Sequence, residues 1–542
     1  LPDAPLVGNE SDRLDLLFMI DGSIAMAEKQ SLLAEAIPRL LGALAESAYD
    51  IHLGVVSSNL GHHGSHDICS DATGERAPDD RAQLIASVRS DVPGNASGFL
   101  DWGLGSETSA VAADVAAQVR SVGELGCGYE GQLEAWYRFL VDPEPVLQMD
   151  NDGISSVRTK GADGRTLVNE VVLAQRAAFL RLDSVVAIVM LSDENDCSIM
   201  DEDSGQSWLV SYKGGVTVNN WRMPAATASC KNPNDPCCRP CIVPPAAGCA
   251  DDAAEGCPET GYLDLAHDAM NQRCFQQRQR FGIDLLYPVS RYVEALTKRE
   301  LEPRLGNGTV APNPLFAGPR GRDHVLFAGI VGVPWQDVAS EDSLLDPRAL
   351  RFLDASELSA EGRWEVILGD PANGVQPTDP LMIESIDPRP TGSQHPLVEG
   401  GAIAGPDETE LTNVINGHEQ RPDPQIREDL QFACIFPLRE PVTCDAENGV
   451  NCDCGPEEYV KNSPLCRYPG PDQQGEQLYA KAYPSVRQLE VLRGVGTQGL
   501  VASVCPKTVE AASDDSSADP DYGYNPAIDA IAAALKQRLS SK

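Results

Sequence analysis

The apolar residues of this chain gather into a few short, near-continuous runs separated by long polar stretches. The first, Leu14 to Ile20, ends abruptly at Asp21-Gly22-Ser23. Ser184 to Leu191 is β-branched and uncharged, and it stops at Ser192-Asp193-Glu194. Val325 to Val331 and Leu500 to Val504 have the same character, and Ile51 to Val56 is a shorter run. Apolar runs without polar alternation predict strands covered on both faces, as in a parallel sheet. Between them, apolar positions at helical spacing predict helices over Met26 to about Ser47, Arg81–Arg89, Ser109–Arg120, Tyr129–Val141, Leu167–Leu180, Tyr287–Thr297, Ser485–Arg493 and Pro526–Leu539. Pro38 falls inside the first helix and is expected to kink it.

Strands alternating with helices, joined by connections too long for hairpins, predict an α/β fold with a doubly wound, mostly parallel sheet. Two long stretches break the alternation. Residues 1–13 read as a tail, 14–197 as the first part of the α/β domain and 198–280 as a cysteine-rich insertion. The domain resumes over 281–334, is interrupted by a Pro, Gly and Cys rich insertion at 335–480, and closes over 481–542. One interrupted domain, its last helix back on the first sheet, is the expectation; two independent domains are the alternative.

Composition narrows the partners. A net charge of -39, from 81 acidic against 42 basic residues, excludes nucleic acid and anionic membrane surfaces, which need a basic patch. Cations or a basic protein surface fit better. Sixteen cysteines in loop-like stretches predict disulfides and an extracytoplasmic location, secreted or at the cell surface. No apolar run reaches the length of about 18 residues that a membrane-spanning helix needs. The start at Leu1, with no leader before it, reads as a processed, exported chain.

Two strands that both stop at a carboxylate point to the sheet's carboxyl edge, where ligands bind in open α/β folds. Asp21-Gly22-Ser23, followed by Met26 and a helix, resembles the Asp-x-Ser-x-Ser opening of von Willebrand factor A-like domains. Ser192-Asp193-Glu194 resembles the Thr/Ser-Asp-Gly that ends their fourth strand. Residues 126–135 (GCGYEGQLEA), 179–198, 271–296, 324–334 and the YPSVRQLEVL to GLVASVC tail are similar to the secreted or lipid-anchored A-like proteins of myxobacteria and related bacteria. That resemblance implies a metal-ion-dependent adhesion site, with Asp21, Ser23 and Asp193 as ligands to Mg²⁺ or Ca²⁺. An acidic residue of a protein partner would complete the shell. The pattern is broken at Ala25, which stands where a second serine belongs, and at Cys127, which aligns with a threonine. Glu130, Glu194 and Asp196 are the candidate replacement oxygens, and such an irregular oxygen cage favours Ca²⁺. An empty, vestigial site is the alternative.

Cys127 and Cys197 flank this edge, and a disulfide between them is expected to clamp it. Cys230, Cys237, Cys238, Cys241, Cys249, Cys257 and Cys274 read as a disulfide-stapled loop, with a zinc knot or redox motif at Cys238-x-x-Cys241 as the alternative. His62, His63 and His66, with Asp67 and Cys69, have the ligand types for Zn²⁺ or Cu²⁺. Acidic clusters at Asp150–Asp152, Asp201–Asp203 and Asp514–Asp521 read as solvated surface, with calcium binding as the sharper reading. No nucleophile elbow, zincin motif, phosphate loop or dinucleotide fingerprint is present. Three functions follow. The first is a non-enzymatic adhesion or assembly protein using the sheet-edge metal. The second is a structural component of an extracellular assembly whose insertions make the contacts, and the third is a metal-dependent enzyme built on the three histidines.

Overall fold

The computed structural model describes residues 13–45, 50–61, 78–103, 106–151, 156–201, 222–269, 272–303, 308–345, 350–408, 411–423, 427, 429–444, 453–454, 462–468, 475–511 and 519–540. Its centre is a six-stranded sheet. The strands are β1 (Arg13–Ile20), β2 (Asp50–Ser57), β3 (Leu100–Gly103), β4 (Val185–Leu191), β5 (Val325–Val331) and β6 (Gly499–Ser503). They lie in the order β6-β5-β4-β1-β2-β3, all parallel except β3, which pairs antiparallel with β2. Every residue of β4 and β5, and all of β1 after Arg13, is buried. The apolar runs therefore do what their lack of alternation predicts.

Seven longer helices cover the sheet: α1 (Ala27–Leu44), α2 (Thr108–Arg120), α3 (Gln132–Leu140), α4 (Glu170–Phe179), α5 (Val289–Thr297), α6 (Val486–Val495) and α7 (Asn525–Ser540). One layer sets α1 between α2 and α7; the other sets α3 against α4 and α5, with α5 packed on α6. The last helix thus returns to the first. Pro38 is on the exposed side of α1, and the helix runs through it from Ala27 to Leu44. The expected helix at Arg81–Arg89 shrinks to Ile85–Val88. The edge strand β3, only four residues long, carries too short a pattern to be read from sequence.

The second insertion is part of the same core. Its Leu353, Leu358, Trp364, Ile367, Leu381 and Ile415 pack into the main hydrophobic cluster, and Cys434–Cys505 ties it to the end of β6. It also contributes a small antiparallel sheet from Cys434–Thr443, Cys466–Arg467 and Glu476–Ala482, whose last strand crosses the boundary expected at residue 480. The first insertion differs. Its described part is stapled by Cys230–Cys238, Cys237–Cys249 and Cys241–Cys257, and its few apolar residues join a satellite cluster around Met223, Phe281 and Leu285. Cys238 and Cys241 have different partners, so the redox and zinc readings of that pair fall away. Among the described residues no helix is long and apolar enough to cross a membrane.

Asp201, expected at a solvated acidic cluster, is instead fully buried. It accepts from Arg138 at 3.0 Å, from Arg158 and from the Tyr287 hydroxyl. Neighbouring Glu134 is held by Arg138 and Arg291, and Arg291 also stacks on the rings of Tyr137 and Tyr287 at 3.8 and 4.1 Å. Asp152, Gly153, Glu202, Asp203, Asp514 and Asp515 lie outside the described residues. Removing one member of a buried ionic network leaves its partners charged and desolvated. Asp201→Ala is expected to lower stability by about 3–5 kcal/mol in urea unfolding, and Tyr287→Phe by about 1 kcal/mol.

Candidate functional site

Strand register builds the site. Ile20 is the partner of both Ser57 and Leu191, so the next residues, Asp21, Ser58 and Ser192, leave the sheet side by side. Asp21 N donates to Leu191 O and Ser58 N to Ile20 O, each at 3.0 Å, carrying the ladder one step past the strands. The Asp21 carboxylate is completely buried and heavily donated to. Oδ1 accepts from Ser23 N at 3.0 Å and Ser58 Oγ at 3.1 Å; Oδ2 accepts from Ser192 Oγ at 2.5 Å and Gln132 Nε2 at 3.0 Å. These four bonds lock the ends of β1, β2, β4 and α3 together.

The expected ligands Asp21, Ser23 and Asp193 do converge: Ser23 Oγ donates to Asp193 Oδ1 at 3.4 Å. A residue that the sequence reading passed over stands among them. Lys29, on the first turn of α1, places its ammonium 2.6 Å from Asp193 Oδ2 and 2.9 Å from the carbonyl of Ala25. Both side chains are essentially unexposed, at 0% and 1%. Ala25 has a left-handed backbone, φ 71°, a conformation that costs a residue with a Cβ roughly 1–2 kcal/mol. The signal in the sequence was a lysine on the core-facing side of an amphipathic helix, four residues before Leu33 and eight before Ile37.

Glu130 also faces this edge. Its Oε1 accepts from Gly128 N at 2.8 Å, and its buried Oε2 has no hydrogen-bond partner. Burial, reinforced by the charge of Asp21, pushes this carboxyl up to about 8. Glu194 is pushed well above its ordinary value by burial and then by Glu130, Asp193 and Asp21. Asp193 is raised by burial, with Lys29 opposing the shift. Asp196 is no part of the cluster. It accepts from Leu133 N at the start of α3 at 2.9 Å, from Ser198 Oγ at 2.6 Å and from Arg487 Nε at 3.1 Å, so it anchors a helix.

These residues do not fit a divalent cation. Asp21 has both oxygens committed to protein donors, Ala25 supplies no side-chain oxygen, and the ammonium of Lys29 already neutralises Asp193. The edge is also closed over. Tyr483, just past the small sheet, donates its N–H to Asp193 O at 2.8 Å, and Asn195 reaches Glu384 of the second insertion at 2.8 Å. Beside the closed edge lies a cavity walled by Glu194, Asn195, Cys274, Glu384, Asp429 and Tyr483. Burial pushes Glu384 up to about 7.

The disulfide expected between Cys127 and Cys197 is not formed. Cys197 pairs with Cys274, and both Cys274 and Cys127 pack against the satellite cluster of Tyr129, Ile199 and Phe281 that holds Cys197. The bond ties the far end of the first insertion to the loop after β4. Cys127 is disulfide-bonded and packs against that cluster. His62, His63, His66, Asp67 and Cys69 lie outside the described residues.

Lys29→Met, which leaves Asp193 buried without its counter-charge, is expected to cost about 3–5 kcal/mol in denaturant unfolding, and adding Asp193→Leu is expected to recover most of it. Glu130 has an ordinary glutamate pKa in the unfolded chain, so between about 4.5 and 8 the folded state holds the proton more tightly. Stability therefore falls as pH rises through that window. Glu130→Gln is expected to flatten the fall, read as the urea midpoint from pH 5 to pH 8. In comparison with known proteins, no family model matches the chain, and neither curated proteins nor solved structures give a match.

Proposed function

We propose that this chain is an extracytoplasmic, protein-binding assembly component of von Willebrand A-like design. In this reading the sheet edge is an internal lock, and the insertions provide the contacts with other proteins. One observation carries it: the Lys29 ammonium lies on Asp193, where the resemblance implies a metal ion. A lysine delivers one fixed positive charge and leaves no open coordination position for a partner's carboxylate. Six disulfides among the described residues support an oxidising compartment. The charge of -39 favours a basic protein surface as the partner.

The test is retention of the purified chain on the envelope fraction of its producing cells, measured with Mg²⁺, with Ca²⁺ and with EDTA. Binding is expected to be equal in all three and to weaken as salt rises. Binding that requires Mg²⁺ or Ca²⁺, is lost in Asp193→Ala and survives Lys29→Met would overturn the proposal.

A further inference from the structure

Where β5 ends, the chain turns through Pro334 into a short helix, Trp335–Val338, that carries Asp337. Two residues of the second insertion meet it. Asp379 precedes the turn Pro380–Met382, and His395 lies in the loop beyond. All three side chains are completely buried. His395 Nε2 is 3.1 Å from Asp337 Oδ1 and 3.6 Å from Asp379 Oδ2. Four atoms here are buried without a hydrogen-bond partner: both oxygens of Asp337, Asp379 Oδ2 and His395 Nε2. Buried polar atoms are almost always paired, and these four face one another: either a proton shared between the two carboxylates and the imidazole proton satisfies them, or a bound cation does.

We propose that Asp337, Asp379 and His395 hold one divalent transition metal ion, Zn²⁺ by preference, as a structural clasp between the end of β5 and the second insertion. Each side chain supplies one ligand atom, an imidazole nitrogen from His395 and one carboxylate oxygen from each aspartate, and water fills the fourth position. Bonds of about 2.0–2.2 Å in tetrahedral array set neighbouring ligand atoms about 3.3 Å apart, and the two measured separations straddle that value. A divalent ion also cancels the charge of the two carboxylates, whereas Arg363, the arginine that acts on Asp337, is paired with Glu361 at 3.1 Å. Among the described residues this is the one group of three Asp, Glu, His or Cys side chains whose ligand atoms all lie within 4.8 Å of one another.

The imidazole departs from the usual arrangement in which the second nitrogen of a metal-bound histidine donates a hydrogen bond. Here Leu397 N donates to His395 Nδ1 at 3.1 Å, so without metal the ring proton sits on Nε2. Metal binding at Nε2 requires that proton to move to Nδ1, at the cost of the Leu397 hydrogen bond. Without a cation the cluster holds protons instead: burial pushes Asp337 up to about 7, and burial together with the Asp337 charge raises Asp379 well above its ordinary range.

The full chain, stripped with EDTA and dialysed, is titrated with Zn²⁺ and separately with Co²⁺, whose visible absorption reports tetrahedral coordination. One tightly bound ion per chain is expected, with tetrahedral Co²⁺ bands and a raised unfolding temperature. His395→Gln and Asp379→Asn, checked for native circular dichroism, are expected to weaken uptake by more than about tenfold. Replacing His62, His63 and His66 with alanine is expected to leave it unchanged. No uptake by the parent chain, uptake unaltered in His395→Gln, or uptake lost with the three-histidine variant would each overturn the clasp. None of these outcomes bears on Lys29 and Asp193, which share no residue with the cluster.

Discussion

A buried ammonium on a buried carboxylate governs the carboxyl edge of this protein's sheet. The parallel sheet delivers Asp21 and Asp193 to neighbouring strand ends, and the adjoining loops add Glu130 and Glu194. Three buried acids and the part-buried Glu194 repel one another, and burial removes most of the water that would screen them. Lys29 offsets one charge, while Glu130 and Glu194 are driven toward their neutral forms. The small sheet of the second insertion then closes over the edge through Tyr483. The positive charge at this edge comes from a fixed side chain.

The two insertions follow different physical routes to order. The first has few apolar residues and is stapled by short-range disulfides, which limit the unfolded chain more than they build a core. The second contributes leucines, isoleucines and a tryptophan to the main core, and its two orphaned aspartates and histidine lie where it meets the end of β5. Among the described residues each insertion is fastened back to the sheet by one long-range disulfide, Cys197–Cys274 and Cys434–Cys505, spanning 77 and 71 residues. Both bonds meet the sheet just past the carboxyl ends of β4 and β6. The edge that resembles a ligand site is therefore also where the insertions are moored.

Much of this was legible in the chain itself, for a definite reason. Fully buried parallel strands need uninterrupted apolar runs, and the strands around Leu14–Ile20, Ser184–Leu191 and Val325–Val331 advertise themselves with no help from long-range contacts. The helices that cover them show the matching periodicity, and their ends moved by only a few residues. Asp21 and Asp193 were legible because a carboxylate that ends a buried strand has few other uses. The short edge strand β3 and the small antiparallel sheet were not, because four residues, or a strand interrupted by prolines, carry too little pattern.

What the sequence determined was which segments pair and which residues arrive at the carboxyl edge, because those follow from local periodicity and polarity. What only the tertiary structure decided was the state of that edge and the company its residues keep. Lys29 meets Asp193 across 164 residues, Cys197 chooses Cys274 over Cys127, and Asp337 meets Asp379 and His395 through an insertion with no regular pattern. Charge pairing, disulfide choice and the meeting of two aspartates with a histidine depend on distances between residues far apart in the chain. Those distances exist only once the sheet has set its register and the insertions have packed against it.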